Sequence, residues 1–185
     1  MLKSILLVED EARLISMHSL QQNCRTLHRV STREEAKGLI SVVDAAVLHM
    51  PAGLIVDWQS ALTKMRKLPI LWLCTENEAP KEIDWGFTLD GILFGSMTSI
   101  EMNIALKWGM RVFQQHKRWA EERDQLLQRL EERKWIDQAK AVLCEIKGIS
   151  EAEAYDFLRK QAMNERKRIG DIAASIVKVY QLIHG

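Results

Sequence analysis

Residues 133–177 read RKWIDQAKAVLCEIKGISEAEAYDFLRKQAMNERKRIGDIAASIV, and the stretch divides into three helices. The first runs into Gly148, a residue suited to the left-handed conformation that ends a helix. Ser150 and Glu153 then form the Ser-x-x-Glu of a capping box, in which the two residues satisfy each other's free backbone N–H groups. The second helix places Ala154, Leu158 and Ala162 at i, i+4 and i+8, one apolar stripe. A third carries Ile169, Ile172, Ala173, Ile176, Val177 and Tyr180 in the same manner. Small alanine contacts let short helices pack closely, which leaves Lys140, Arg159, Lys160, Arg166, Lys167 and Arg168 for the outside. The spacing predicts a three-helix bundle with a basic edge.

Four stretches carry a family pattern in order and register: Gln138-Ala139-Lys140, Ser150-x-x-Glu153-Ala154-Tyr155, Leu158-Arg159-x-x-Ala162-Met163, and Ile172-Ala173 with Ile176-Val177. Residues 134–185 thereby resemble the ANTAR domain, the RNA-binding module of a family of transcription antitermination regulators. The resemblance implies a protein whose bundles bind hairpin loops in an mRNA leader, so that the competing terminator does not form. Arg166-Lys167-Arg168, at the turn between the second and third helices, are the foremost candidate RNA contacts. Cations on a loop can hold phosphates or stack on splayed bases. Lys140, Arg159 and Lys160 follow as further candidates. Tyr155 and Trp135 are read as packing against neighbouring helices, and Met163 as core.

Upstream, Ile5-Leu6-Leu7-Val8 is a continuous apolar run, repeated at Ala45-Ala46-Val47-Leu48, at Ile70-Leu71-Trp72-Leu73-Cys74 and at Ile92-Leu93-Phe94. Such runs suit strands buried on both faces of a parallel sheet. Helix-like segments at 13–22, 33–39, 58–65 and, more weakly, 81–87 lie between them, and the alternation predicts a doubly wound α/β domain. This part resembles a response-regulator receiver domain, flavodoxin-like in topology, with Glu9-Asp10 closing the first strand. The resemblance implies two-component signalling, in which carboxylates at the sheet's carboxyl edge hold a divalent cation and accept a phosphoryl group. Here His49 takes the phosphoacceptor position and Gly95 the place of the fifth-strand lysine, while either Thr75 or Cys74 fills the switch-hydroxyl slot. The degenerate pocket is thus Glu9, Asp10, His49, Thr75 and Gly95. Without the lysine, charge developing in phosphoryl transfer would lack its stabiliser, so control by a ligand-sensing regulatory protein is expected in place of aspartate phosphorylation.

From residue 97 to Gly148 the chain has no proline and one glycine, Gly109. Two seven-spaced series, Leu106, Phe113, Ala120, Leu127 and Val112, Trp119, Leu126, predict a helix that packs first on its own receiver-like domain and then on a second copy. Leu106, Phe113, Trp119, Leu126, Leu127 and Leu130 are the candidate dimerisation residues. The domains expected are a pseudo-receiver at 1–97, a helical linker or coiled coil at 98–133, and the ANTAR bundle at 134–185.

Composition narrows the function. The net charge is +1, with 11 Lys and Arg against 13 Asp and Glu in residues 1–110, and 9 against 7 in residues 134–185. So small a surplus requires a compact patch and a shaped target, because bulk attraction would be weak. No window approaches the roughly 18 apolar residues of a membrane span, and the early acids argue against a secretory signal, so the expected location is the cytoplasm. Cys24, Cys74 and Cys144 are too far apart in sequence for a Cys-x-x-Cys site. With no phosphate loop, nucleophile elbow or metal-ligand spacing, the chain reads as a non-enzyme without metal or cofactor. Two other classes stay open: a DNA-binding response regulator, for which the third helix offers a poor reading face in Asp171, Ala174, Ser175 and Lys178, and a scaffold serving protein partners alone.

Overall fold

The computed structural model describes residues 2–9, 18–79 and 89–184. Asp10, Trp85, the segment at 81–87 and the first part of the segment at 13–22 lie outside the described residues. Those described form two compact units, Met1–Lys117 and Arg118–Gly185.

The first unit is built on a five-stranded parallel sheet ordered β2-β1-β3-β4-β5. Its strands are β1 (Leu2–Glu9), β2 (Cys24–Val30), β3 (Ala45–His49), β4 (Ile70–Cys74) and β5 (Gly91–Phe94). Between them stand α1 (His18–Gln21), α2 (Arg33–Leu39) and α3 (Ala52–Met65). Successive side chains of a strand point to opposite faces, and here both faces are covered. Leu6, Val8, Leu48 and Trp72 pack with Ala36 of α2 and Ile55 and Leu62 of α3. Ile5, Leu7, Val47 and Leu73 pack on the other side with Leu20 of α1 and with Met102 and Leu106, which belong to α4 (Ser99–Lys147).

The four apolar runs are therefore the four inner and edge strands expected. The remaining strand, β2, escapes that reading because its residues are largely polar and solvent-facing: Arg25, Thr26 and Arg29 are exposed, so it has no continuous apolar run. Among the described residues it pairs with β1 alone, in register from Leu2↔Cys24 to Val8↔Val30. α2 begins with a capping box between Thr32 and Glu35, which sets its start at Arg33.

Leu106 is 2% exposed and belongs to the core of its own unit. It does not face a second chain, and Phe113 is half-buried as well. A seven-residue spacing says which residues share a helix face; it does not say whether a sheet or another helix covers that face. On the first turns of α4 the apolar residues left exposed include Ile100, Ile104 and Trp108, at i, i+4 and i+8, at 75%, 62% and 63%.

The second unit comprises the later part of α4, α5 (Glu151–Glu165) and α6 (Ile169–His184). Ala139, Leu143, Ala154, Leu158, Ala162, Ile172, Ala173 and Val177 form its core. Four alanines with no more than 8% exposure at the contact lines confirm the close approach expected of small residues. Among the described residues no helix is long and apolar enough to cross a membrane.

Candidate nucleic-acid interface

The turns of the bundle follow from local chemistry. Gly148 adopts φ +63° and its N–H donates to the Cys144 carbonyl at 3.0 Å, ending α4. The Ser150 N–H donates to Glu153 Oε2 at 2.9 Å, and the Glu153 N–H donates to Ser150 Oγ at 3.4 Å. These bonds hold the Glu153 carboxyl below its ordinary range, the Ser150 backbone bond being the main cause.

α5 ends differently. Arg166 is left-handed, with φ 54° and ψ 38°, the one such non-glycine among the described residues. The Lys167 N–H reaches the Ala162 carbonyl at 3.0 Å and the Arg166 N–H the Met163 carbonyl at 3.3 Å, the double bond of a Schellman turn. Glycine is the usual occupant because a β-carbon there costs about 1–2 kcal/mol. The turn thus places an arginine where conformation alone would select glycine.

Arg166, Lys167 and Arg168 are all exposed. Lys167 Nζ lies 2.8 Å from Glu165 Oε2, and that hydrogen bond raises the lysine's pKa. Arg159 and Lys160 are exposed on α5. Met163 is 70% exposed and Tyr155 44%, so Met163 is no core residue, and the tyrosine is open to solvent in part. Tyr155, Arg159 and Met163 follow at i, i+4 and i+8 toward Arg166, one exposed helix face of cation and soft apolar groups. The sequence held that signal in its spacing, but the amphipathic pattern drew Met163 inward. Trp135 does pack against the bundle core.

Lys140 differs from the other cations. Its Nζ sits 3.1 Å from Asp137 Oδ1 and 3.2 Å from Glu151 Oε2, and the Asp137 bond, then that of Glu151, raises its pKa. The side chain ties α4 to the first turn of α5. Lys147 is exposed and lies over an aromatic ring, its Nζ 3.7 Å from the centre of Phe157.

In the first unit, Glu9 and His49 end adjacent strands in register. His49 is fully buried, with Nδ1 3.9 Å from Glu9 Oε1, while Arg29 Nε approaches the other carboxylate oxygen at 3.8 Å. Cys74 is fully buried, whereas Thr75 stands just past β4 and its hydroxyl donates to Glu78 Oε2 at 3.0 Å. The Gly95 N–H donates to the Cys74 carbonyl at 3.2 Å. Beside it, the Ser96 hydroxyl donates to the Glu76 carboxylate and lowers its pKa. A short serine and its carboxylate thus occupy the edge next to Gly95. Among the described residues no group of three or more His, Cys, Asp or Glu is placed to hold a metal ion.

Residues 124–177 match the ANTAR domain family. A 53-residue stretch is 43% identical to the nitrate regulatory protein of Klebsiella oxytoca; it covers 29% of this chain and 13% of that protein. The chain therefore aligns with only a small part of that relative's length.

Proposed function

Taking as premise that the C-terminal part of the chain is an ANTAR domain, we propose that the protein is an RNA-binding transcription antitermination regulator. Its bundles hold hairpin loops of an mRNA leader, and the held hairpin excludes the terminator from forming. The observation that carries this reading is the exposed run Arg166, Lys167, Arg168 on a turn within the matched segment. Arg159, Lys160 and the partly exposed Tyr155 extend it along α5. Guanidinium groups and an aromatic face are the means by which single-stranded loops are recognised.

Two copies work together in this account. Trp119, Leu126, Leu127 and Leu130 of α4 are 57%, 58%, 53% and 64% exposed, an apolar surface that a second α4 would cover. Joining two bundles raises the effective concentration of the second for a neighbouring hairpin. The regulator acts in the cytoplasm, and a ligand-sensing protein controls it in place of aspartate phosphorylation. That last element is supported by the burial of His49, which the resemblance to a receiver aligns with the phosphoacceptor, and by Gly95, which it aligns with the lysine.

Transcription in vitro from a template carrying tandem leader hairpins before a terminator tests the proposal. Added protein should increase read-through, and Arg166→Ala, Lys167→Ala, Arg168→Ala together should abolish the increase. Read-through that ignores the protein would refute an antitermination role.

A further inference from the structure

Between α4 and the start of α6, within the second unit, lies a cleft of about 220 Å³. Its walls include Gln128, Glu131, Glu132 and Trp135 from α4, with Arg168 and Asp171 opposite. Glu132 is half-buried because α6 comes close there: a side chain at Gly170 would meet Glu132 Cγ at 2.5 Å. Glycine at that point is what lets the carboxylate lie against the first turn of α6.

We infer that this cleft is a nucleobase pocket that seats one unpaired, amine-bearing base of the RNA loop. The inference rests on the RNA-binding reading above and deepens it. Size is the first argument, since the volume falls below the roughly 300–1,000 Å³ of pockets for drug-sized ligands and suits a single flat ring system. The Trp135 indole supplies an apolar wall against which a base can stack. Carboxylates accept hydrogen bonds and cannot donate them when ionised, so Glu132, with Glu131 and Asp171, selects for amino-group donors on a base edge. Adenine, cytosine and guanine present the two N–H donors of an exocyclic amine, whereas uracil offers the carboxylates only its single ring N3–H, flanked by two carbonyl acceptors that they would repel.

The charges divide the labour. Three carboxylates would repel a phosphate from the cleft itself, so the RNA backbone runs outside along Arg166, Lys167 and Arg168. Arg168 belongs both to that run and to the cleft wall, and links the backbone contact to the base.

The test uses the full chain and a pool of stem-loops with one fixed stem and a randomised loop. The chain should enrich loops in which one position disfavours uracil by about tenfold, as expected of one good base contact. Single-position variants of the enriched loop are then titrated against Glu132→Gln and Trp135→Phe. Glu132→Gln exchanges one acceptor for a donor at constant size, and should change base preference at that position alone. Trp135→Phe should weaken binding of every base there by a few-fold. Thermal melts establish that both variants fold. Unaltered preference at every loop position in folded Glu132→Gln would overturn the pocket while leaving RNA binding intact. Enriched loops that accept uracil everywhere would overturn it too, and an absence of any enrichment would sink the RNA reading together with the pocket.

Discussion

The Leu71 side chain fills the space that a side chain at Gly109 would need: a β-carbon there would lie 2.8 Å from Leu71 Cδ2 and 3.3 Å from the Asp90 carbonyl oxygen. Glycine in a helix interior costs about 1 kcal/mol relative to alanine, yet here it lets α4 settle against the sheet. Gly109→Ala should therefore destabilise the first unit, by about 1–3 kcal/mol for overpacking less the helix-propensity gain. Urea titration of the variant and parent checks this, and a more stable variant would show that Leu71 moves aside at little cost.

Arg166 yields the opposite expectation. Replacing a left-handed arginine by glycine relieves the backbone, so Arg166→Gly should raise bundle stability by up to about 1 kcal/mol. The same change should weaken hairpin binding. Unfolding and RNA titrations on one preparation test both, and a variant no more stable than the parent would mean that the turn imposes no conformational cost.

Asp90 gives a pH dependence. Its Oδ2 accepts from the Ile70 N–H at 2.8 Å, and His116 Nδ1 lies 3.7 Å from Oδ1. Burial is the dominant influence and raises the carboxyl's pKa above its ordinary value of 3.8, against the opposing effects of the Ile70 bond and His116. With the folded pKa above the unfolded one, the contribution of Asp90 to stability is fully present below the unfolded value and is lost as pH rises through the folded value. Asp90→Asn keeps an acceptor for Ile70 but does not titrate. Parent stability minus variant stability should accordingly fall as pH rises from about 3 to 7, and a difference that grows over that range would contradict the assignment.

The dimer proposal rests on exposed leucines, which makes it separable from folding. Leu126→Ala, Leu127→Ala and Leu130→Ala together should leave the melting curve of the bundle nearly unchanged and weaken self-association strongly, since burial of each leucine contributes about 1.5–3 kcal/mol. Equal sedimentation of variant and parent would rule out this part of α4 as the interface.

Much of the fold was legible because its determinants are local or strongly patterned. Parallel strands buried on both faces write themselves as apolar runs, and Gly148 with the Ser150–Glu153 box marks a helix boundary by chemistry alone. β2 was not legible, since exposed Arg25, Thr26 and Arg29 leave it without such a run. The site residues were harder to read for a related reason. Composition identifies Lys140 as a cation, but only the folded arrangement brings Asp137 and Glu151 within 3.2 Å of it. In the same way, periodicity grouped Leu106 with Leu127, although a sheet already covers Leu106. The cleft beside Trp135 joins residues some forty positions apart and had no contiguous motif to announce it.

Binding of the full chain to a two-hairpin RNA leader, against duplex DNA and across a salt series, decides whether the exposed cations of the bundle recognise RNA. The parent should bind the hairpins selectively. In the variant Arg166→Ala, Lys167→Ala, Arg168→Ala, affinity should be lower and the salt slope reduced by about one for each phosphate contact removed. Equal affinity for duplex DNA, or hairpin binding that survives the triple substitution unchanged, would contradict RNA recognition by these cations.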